Sequence, residues 1–196
     1  MCGRFLAGVD EAGRGPIAGP VIAACVLVRE PFCLAGVRDS KTLSEGVREQ
    51  LFERIRREAI AWSVGIASPR EIEQLNILRA SLLAMRRALQ ALPLNPHQVL
   101  VDGKFPVPDY PVPQETIIDG DARHPVISAA SIMAKVVRDR MMRELDRLYP
   151  AYGFAQNKGY PTPAHLRKLE CYGACAQHRR TYMPLVQLQR RMEEAG

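Results

Sequence analysis

Apolar and polar residues alternate along the chain in blocks that predict strands first. Residues 5–9 form a mostly apolar run that ends at Asp10 and Glu11, and residues 21–28 are apolar throughout. A continuous apolar run of this length is typical of a strand buried on both faces of a sheet. Residues 62–67 alternate and are followed by Ser-Pro, which indicates a third strand. We expect these three strands to form an antiparallel meander.

Two further strands are predicted, and both run into acidic residues. Residues 97–103 carry Asp102 near their end, and residues 114–118 are followed by Asp119 and Asp121. Together with the first strand, three predicted strands therefore end at carboxylates.

Helical patterns lie between and after the strands. Capping-box patterns at residues 42–45 and 68–71 predict the starts of two helices. The second is expected to continue without interruption towards Pro93, because Leu and Met recur every three or four positions. A longer helix is predicted from Pro125 to just before Pro150, where a stripe of apolar residues ends. Short helices follow at residues 163–169 and 182–192.

The chain has 196 residues, of which 47% are hydrophobic, so it can bury a core and is expected to form a single domain. It contains no apolar run long enough to span a membrane, and its first ten residues leave no room for a signal peptide. We therefore expect a cytoplasmic protein.

Five cysteines without a Cys-x-x-Cys repeat favour free thiols. A zinc site at Cys171, Cys175 and His178 is disfavoured because a second ligand pair is missing.

Charge is distributed unevenly. Residues 1–122 carry 14 basic and 15 acidic side chains, whereas residues 123–191 carry 13 basic and 4 acidic ones. A basic surface of this kind attracts a polyanion through long-range electrostatics and counterion release.

The acids at the strand ends indicate a metal site. Asp10, Glu11, Asp102 and Asp121 are far apart in sequence, but a sheet can gather them at one edge. Closely spaced carboxylates repel each other, and oxygen-only ligands without a His cluster favour Mg²⁺ or Mn²⁺ over zinc. Two such ions can promote hydrolysis of a phosphodiester, because they activate a water on one side and stabilise the departing oxygen on the other. Since neighbouring residues on a regular strand point to opposite faces, Asp10 and Glu11 can both contribute only where the strand ends or bulges.

The glycines after the first strand suit a phosphate, because Gly13 and Gly15 allow close approach to the backbone. A nucleotide-binding cradle is the alternative. It is disfavoured because the glycine spacing is wrong, no Gly-Lys-Ser/Thr follows, and a strand follows where such a motif requires a helix.

Taken together, the motifs resemble those of the bacterial type 2 ribonucleases H, the ribonuclease HII family. The resemblance covers nearly the whole chain and rests on segments in the family's order: residues 9–16 (VDEAGRGP), 18–21 (AGPV), 39–41 (DSK), 101–103 (VDG), 120–121 (GD), 129–135 (AASIMAK) with 138–139 (RD), 159–162 (GYPT) with His165, and 178–179 (HR). It implies a ribonuclease H-like α/β fold with a five-stranded mixed sheet flanked by helices. Residues 150–196 would form a helical C-terminal extension packed on a single domain that spans residues 1–196.

The resemblance also implies an endonuclease that cuts the RNA strand of RNA–DNA hybrids and incises duplex DNA at single ribonucleotides, leaving 3′-hydroxyl and 5′-phosphate ends. We expect the protein to act as a monomer. The implied roles are metal binding and catalysis by Asp10, Glu11, Asp102 and Asp121, reading of the 2′-hydroxyl by Gly13, Arg14 and Gly15, stacking by Tyr160, and phosphate binding by Lys41 and by basic residues such as Lys135, Lys158, Arg179 and Arg180.

Several assignments have alternatives. Asp119 competes with Asp121 as the fourth acid, and Asp139 is expected to pair with Arg143 rather than bind metal. Tyr182 stands where the family usually has Phe, which should alter packing more than catalysis. The competing functions are a nucleic-acid binding module with a structural cation site, and the related type 3 enzyme. The latter is disfavoured because this chain lacks the N-terminal extension of that enzyme and carries the type 2 form of the Gly-Arg-Gly motif.

Overall fold

The computed structural model describes residues 3–33 and 43–194, with side chains described as far as residue 190. Within these residues five strands form one sheet in the order β3-β2-β1-β4-β5. The strands are β1 (Phe5–Ala12), β2 (Val21–Arg29), β3 (Ala61–Ala67), β4 (Gln98–Asp102) and β5 (Gln114–Ile117). β1, β2 and β3 pair in antiparallel fashion, whereas β4 runs parallel to β1 and to β5. The predicted mixed sheet and the predicted meander are both confirmed.

Helices lie between the strands and follow the last one. They are α1 (Glu45–Glu58), α2 (Pro69–Leu75), α3 (Ile77–Gln90), α4 (Gly120–Arg123), α5 (Pro125–Leu148), α6 (Phe154–Asn157), α7 (Pro163–Tyr172) and α8 (Met183–Glu194). The cap of α1 is Ser44, whose hydroxyl accepts from the amide of Val47, and not Thr42, which lies outside the described residues. The capping box of Ser68 and Glu71 is confirmed. No described helix combines the length and the apolarity needed to cross a membrane.

The prediction of one continuous helix from residue 68 onward is wrong. The helix breaks at Asn76, which has a φ of 70° and separates α2 from α3. The Asn76 side chain accepts a hydrogen bond of 3.1 Å from the amide of Arg79, while its own amide donates to the carbonyl of Ile72. Asn both tolerates positive φ better than most residues and caps helices, so it ends one helix and begins the next.

The sheet is covered on both faces. Alternate residues of β1 and β2, such as Ala7 and Cys25, pack with α3, whereas Leu6 and Val26 pack with α1 and α5. Helix α5 approaches β1 especially closely at Gly8, where an added Cβ would lie 2.5 Å from the carbonyl oxygen of Val126. The glycine therefore sets the distance between the sheet and this helix.

A third apolar cluster joins the segment between β1 and β2 to the C-terminal helices. Ile17 and Ala18 pack with residues from α5, α6, α7 and α8, including Met142, Phe154 and Leu185. Ala18 also forms an isolated β-bridge with His178. The C-terminal helices thus support the segment that follows the acids.

Candidate active site

Three of the four predicted acids meet at one place in the sheet. Asp10 and Glu11 belong to β1, Asp102 is the last residue of β4, and a carboxylate oxygen from each lies within 4.8 Å of the others. Contrary to the sequence-based expectation, β1 does not end at the acids. Its pairing with β4 stops one residue before Asp10, while its pairing with β2 continues to Ala12. The acids therefore lie in a strand that is paired on one side only.

The Asp10 carboxyl is 4% exposed and crowded by negative charge. Burial raises its pKa well above the ordinary value, and the charges of Glu11 and Asp102 raise it further. A hydrogen bond from Ser131 and one of 2.6 Å from the amide of Glu11 act in the opposite direction. Burial and the neighbouring carboxylates therefore both disfavour the charged form of Asp10.

Glu11 is compensated in part by the loop that follows it. Burial raises the pKa of its carboxyl, the guanidinium of Arg14 lowers it, and Asp102 raises it. Nη1 of Arg14 lies 3.1 Å from Oε1 of Glu11, although half of the Arg14 side chain is exposed. Arg14 thus connects the acids to the solvent-facing part of the loop.

This donor set fits a hard divalent cation. Among the described residues it is the only group of three or more potential ligands from His, Cys, Asp or Glu, and it offers carboxylate oxygens alone. Mg²⁺ and Mn²⁺ prefer such ligands, and a cation would relieve the repulsion that raises the pKa of Asp10. Asp10, Glu11 and Asp102 could therefore hold a metal ion without a change in the fold.

Asp121 is not one of the three clustered acids, although the residue before it hydrogen-bonds to one of them. It is 5% exposed and lines a cavity of about 280 Å³ together with Ser128 and residues 122–125. The preceding Gly120 donates its amide to Oδ1 of Asp102 at 2.8 Å. The competing Asp119 is exposed and has a φ of 53°. Asp121, which is buried, therefore remains the predicted fourth acid.

A cleft of about 330 Å³ opens beside the acids. It is lined by Glu11, Ala12, Gly13, Arg48, Ser131, Lys135, Arg138 and Tyr160. Tyr160 is 45% exposed, and its ring lies 3.5 Å from the position that a Cβ on Gly15 would occupy. Four predicted substrate-binding residues, Gly13, Arg14, Gly15 and Tyr160, therefore lie beside the three clustered acids. The fifth, Lys41, lies outside the described residues.

The prediction that Asp139 pairs with Arg143 is wrong. Asp139 is buried and lies 2.7 Å from Nζ of Lys135, one turn earlier in α5, and 4.0 Å from Arg48 of α1. Arg143 instead pairs with glutamates of α1. A spacing of four residues relates Asp139 equally to both basic residues, so the sequence alone could not separate them. The buried carboxylate thus holds Lys135 at the wall of the cleft.

Two buried arginines were not recognised as structural from the sequence. Arg179, predicted to hold phosphate, is fully buried and donates to backbone carbonyls, so that prediction is wrong. Arg138 is 1% exposed, and its guanidinium donates to the carbonyls of Ala18, Pro20 and Lys158. Burial and, to a smaller extent, the charge of Arg179 lower the pKa of Arg138 to about 10, so the group stays charged at neutral pH. Basic residue type alone does not distinguish these roles.

Comparison with known proteins identifies the family. The model of the family described as Ribonuclease HII matches residues 7–184. Ribonuclease HII 2 of Methylibium petroleiphilum is 55% identical over 189 residues, which cover 95% of this chain and 87% of that protein. A ribonuclease HII of Desulfitobacterium hafniense is 52% identical over 182 residues, covering 93% and 70% respectively.

A solved structure agrees with the sequence matches. The crystal structure of ribonuclease H2 from Pyrococcus horikoshii superposes with a TM-score of 0.85 at 30% identity, covering 97% of this chain and 99% of that one. The predicted ribonuclease H-like fold is thereby confirmed. The chain belongs to the ribonuclease HII family of divalent-metal-dependent endoribonucleases, which hydrolyse the RNA of RNA–DNA hybrids.

Proposed function

We propose that this enzyme also incises duplex DNA at single embedded ribonucleotides, leaving 3′-hydroxyl and 5′-phosphate ends, with Mg²⁺ or Mn²⁺ as the metal. The observation that carries the proposal is the proximity of the Gly13–Arg14–Gly15 loop and Tyr160 to the three clustered acids. A loop that reads one ribose beside the acids requires only one ribonucleotide in the substrate.

The acids hold the metal in this proposal. Asp10, Glu11 and Asp102 supply the clustered carboxylates, and Asp121 supplies a fourth from α4. When bound, divalent ions activate water and stabilise the departing oxygen of a phosphodiester. The paired strand β1 and the hydrogen bonds to Asp10 and Asp102 keep the carboxylates in place before substrate arrives.

The loop and Tyr160 select the substrate. Gly13 and Gly15 expose backbone to the nucleotide, and the 2′-hydroxyl is the group that distinguishes RNA from DNA. The ring of Tyr160 stacks on the sugar at the junction between the ribonucleotide and the next deoxyribonucleotide. Its partial exposure beside Gly15 supports this role.

Basic residues hold the remaining duplex. Lys135 lines the cleft, Arg180 is exposed in the C-terminal part, and Lys41 of the DSK segment completes this set in our proposal. A monomer suffices, because the clustered acids, the loop and Tyr160 all come from one chain. Membership of an enzyme family disfavours the alternative of a non-catalytic binding module.

The test uses an end-labelled DNA duplex with one ribonucleotide, an all-DNA duplex and an RNA–DNA hybrid, each with Mg²⁺, Mn²⁺ or EDTA. We expect incision on the 5′ side of the ribonucleotide and no cleavage of DNA. Asp10→Asn should remove nearly all turnover, whereas Asp109→Asn, at an exposed acid paired with Arg86, should not. Cleavage of the hybrid alone would refute the proposal.

A further inference from the structure

A single buried side chain holds the segment between β1 and β2 from below. Arg179 is 0% exposed, and its guanidinium donates hydrogen bonds from Nη2 to the carbonyl of Gly13 at 2.6 Å, from Nη1 to that of Arg14 at 3.0 Å, and from Nε to that of Gly19 at 2.9 Å. The backbone amide of Arg179 donates to Ile17 at 2.8 Å. One residue thus fixes both ends of the loop.

Tyr182 strengthens the same contact. Its hydroxyl donates to the carbonyl of Arg14 at 2.9 Å and accepts from Nη1 of Arg179 at 3.1 Å. The guanidinium of Arg179 also lies 5.2 Å from the centre of the Tyr182 ring, which is a cation–π distance. The Arg14 carbonyl therefore accepts two hydrogen bonds, one from the buried Arg179 and one from the half-buried Tyr182.

These bonds determine where the amides of the loop point. In a planar trans peptide the carbonyl and the N–H of the next residue point in opposite directions. When the Gly13 carbonyl faces Arg179, the amide of Arg14 faces away from it, and the Arg14 carbonyl directs the amide of Gly15 likewise. Gly13 permits the close contact below the loop, since its φ is 101° and an added Cβ would lie 2.1 Å from Nε of Arg138. Two successive amides are thereby turned away from the interior.

We propose that Arg179, assisted by Tyr182, is a positioning residue that orients the Gly13 and Arg14 peptides so that the amides of Arg14 and Gly15 select a ribose 2′-hydroxyl. This inference rests on the proposed function, because it explains how the loop chooses its substrate. A guanidinium suits the task since its planar fork donates in several fixed directions, whereas a lysine ammonium at this depth cannot reach three carbonyls together.

The experiment compares duplex binding by the wild type, Arg179→Lys and Tyr182→Phe. The probes are a fluorescent DNA duplex with one ribonucleotide and the same duplex made entirely of DNA. Anisotropy is measured with Ca²⁺ in place of Mg²⁺, and a gel confirms that the substrate stays intact. The matched control is Tyr152→Phe, which also removes a tyrosine hydroxyl bonded to a backbone carbonyl, that of Gly173 at 2.9 Å.

We expect the wild type and Tyr152→Phe to prefer the ribonucleotide duplex. Arg179→Lys should bring the ratio of the two Kd values close to one, and Tyr182→Phe should lower it about threefold, as expected for one hydrogen bond. Affinity for the all-DNA duplex should stay unchanged in every variant. Circular dichroism and thermal melting establish folding, and Tyr182→Phe decides the matter if Arg179→Lys does not fold.

The possible outcomes separate the two proposals. A wild type that binds both duplexes equally refutes this inference while the proposed function stands, and a wild type that leaves the ribonucleotide duplex uncut in the incision assay refutes both. If the wild type shows the preference and folded variants keep it, or if Tyr152→Phe loses it equally, the positioning role is refuted while the proposed function stands.

Discussion

The backbone amide of Gly120 donates a hydrogen bond of 2.8 Å to Oδ1 of Asp102. This bond attaches the first residue of α4 to the last residue of β4, and the side chain of the next residue, Asp121, is almost completely buried. A carboxylate of the acid cluster therefore determines where α4 begins. The acid that follows is placed by the same contact.

Asp121→Asn tests the fourth acid. We expect a loss of activity of about 100-fold or more, because one charged ligand is replaced by a neutral amide of the same shape. The matched variant Asp119→Asn alters an exposed acid that makes no side-chain cap bond to α4, and should stay within about twofold of the wild type. Initial rates on an RNA–DNA hybrid at saturating Mg²⁺ measure both. The reverse pattern would assign the role to Asp119.

Asp10→Asn should stabilise the metal-free protein while abolishing activity. Unit charges separated by 4.8 Å or less repel by roughly 3 kcal/mol at the effective dielectric of a protein surface, and the substitution removes one of these charges. The midpoint of thermal unfolding in EDTA should therefore rise. The increase that Mg²⁺ produces in the wild type should largely disappear.

Asp109→Asn serves as the control for that experiment, since it removes an exposed carboxylate that is not part of the cluster. It should keep the full response to Mg²⁺. If Asp10→Asn melted lower than the wild type in EDTA, carboxylate repulsion would not be the dominant effect at this position.

Stability should fall in mild acid because of a buried histidine pair. The Nε2 atoms of His165 and His178 lie 3.0 Å apart, and burial together with the neighbouring His165 lowers the pKa of His178 to about 4. An unfolded histidine has a pKa of about 6.5. The unfolded state therefore binds more protons between these values. Neutral His178 therefore contributes roughly 3 kcal/mol to the free energy of unfolding above pH 6.5, and this contribution is lost as the pH falls towards 4.

Urea unfolding at several pH values between 7.5 and 4.5 checks this prediction. His178→Asn should show a smaller decrease in the free energy of unfolding over that interval than the wild type. Comparison at each pH removes the contribution of Asp10, whose raised pKa acts in the opposite direction. Parallel curves for the two proteins would contradict a neutral His178.

Asn76 should tolerate glycine far better than alanine. Alanine at a φ of 70° introduces backbone strain and also removes the cap of α3, so Asn76→Ala should cost about 2 kcal/mol of stability. Glycine adopts positive φ freely and is a fair cap, so Asn76→Gly should cost less than about 1 kcal/mol. Chemical denaturation measures both. Equal losses would show that the side-chain cap, rather than φ, dominates.

The regular elements could be predicted where one local signal was sufficient. The apolar run of residues 21–28 became the interior strand β2, which is paired on both sides, and Pro125 opens α5 as its position predicts. The break at Asn76 was missed because the spacing of Leu75 and Leu78 continues the apolar stripe across it. Positive φ at a residue other than glycine leaves no trace in hydrophobic periodicity.

The candidate site was predicted from residue types, whereas its supporting contacts were not. Asp10, Glu11 and Asp102 meet as the strand pattern suggested. Arg179 resembles a phosphate ligand in a basic sequence, but it is buried by packing of distant segments. Such burial depends on tertiary contacts between residues 13–19 and the C-terminal helices, which local patterns do not encode.

Gly8 gives helix α5 direct access to the backbone of β1, with no side chain between them. Even a single methyl group at position 8 would therefore push helix α5 away from the strand. Ser131, which hydrogen-bonds Asp10, belongs to that helix. The geometry of the carboxylates consequently depends on a residue that carries no functional group. A substitution of Gly8 would weaken the hydrogen bond between Ser131 and Asp10, two residues further along β1.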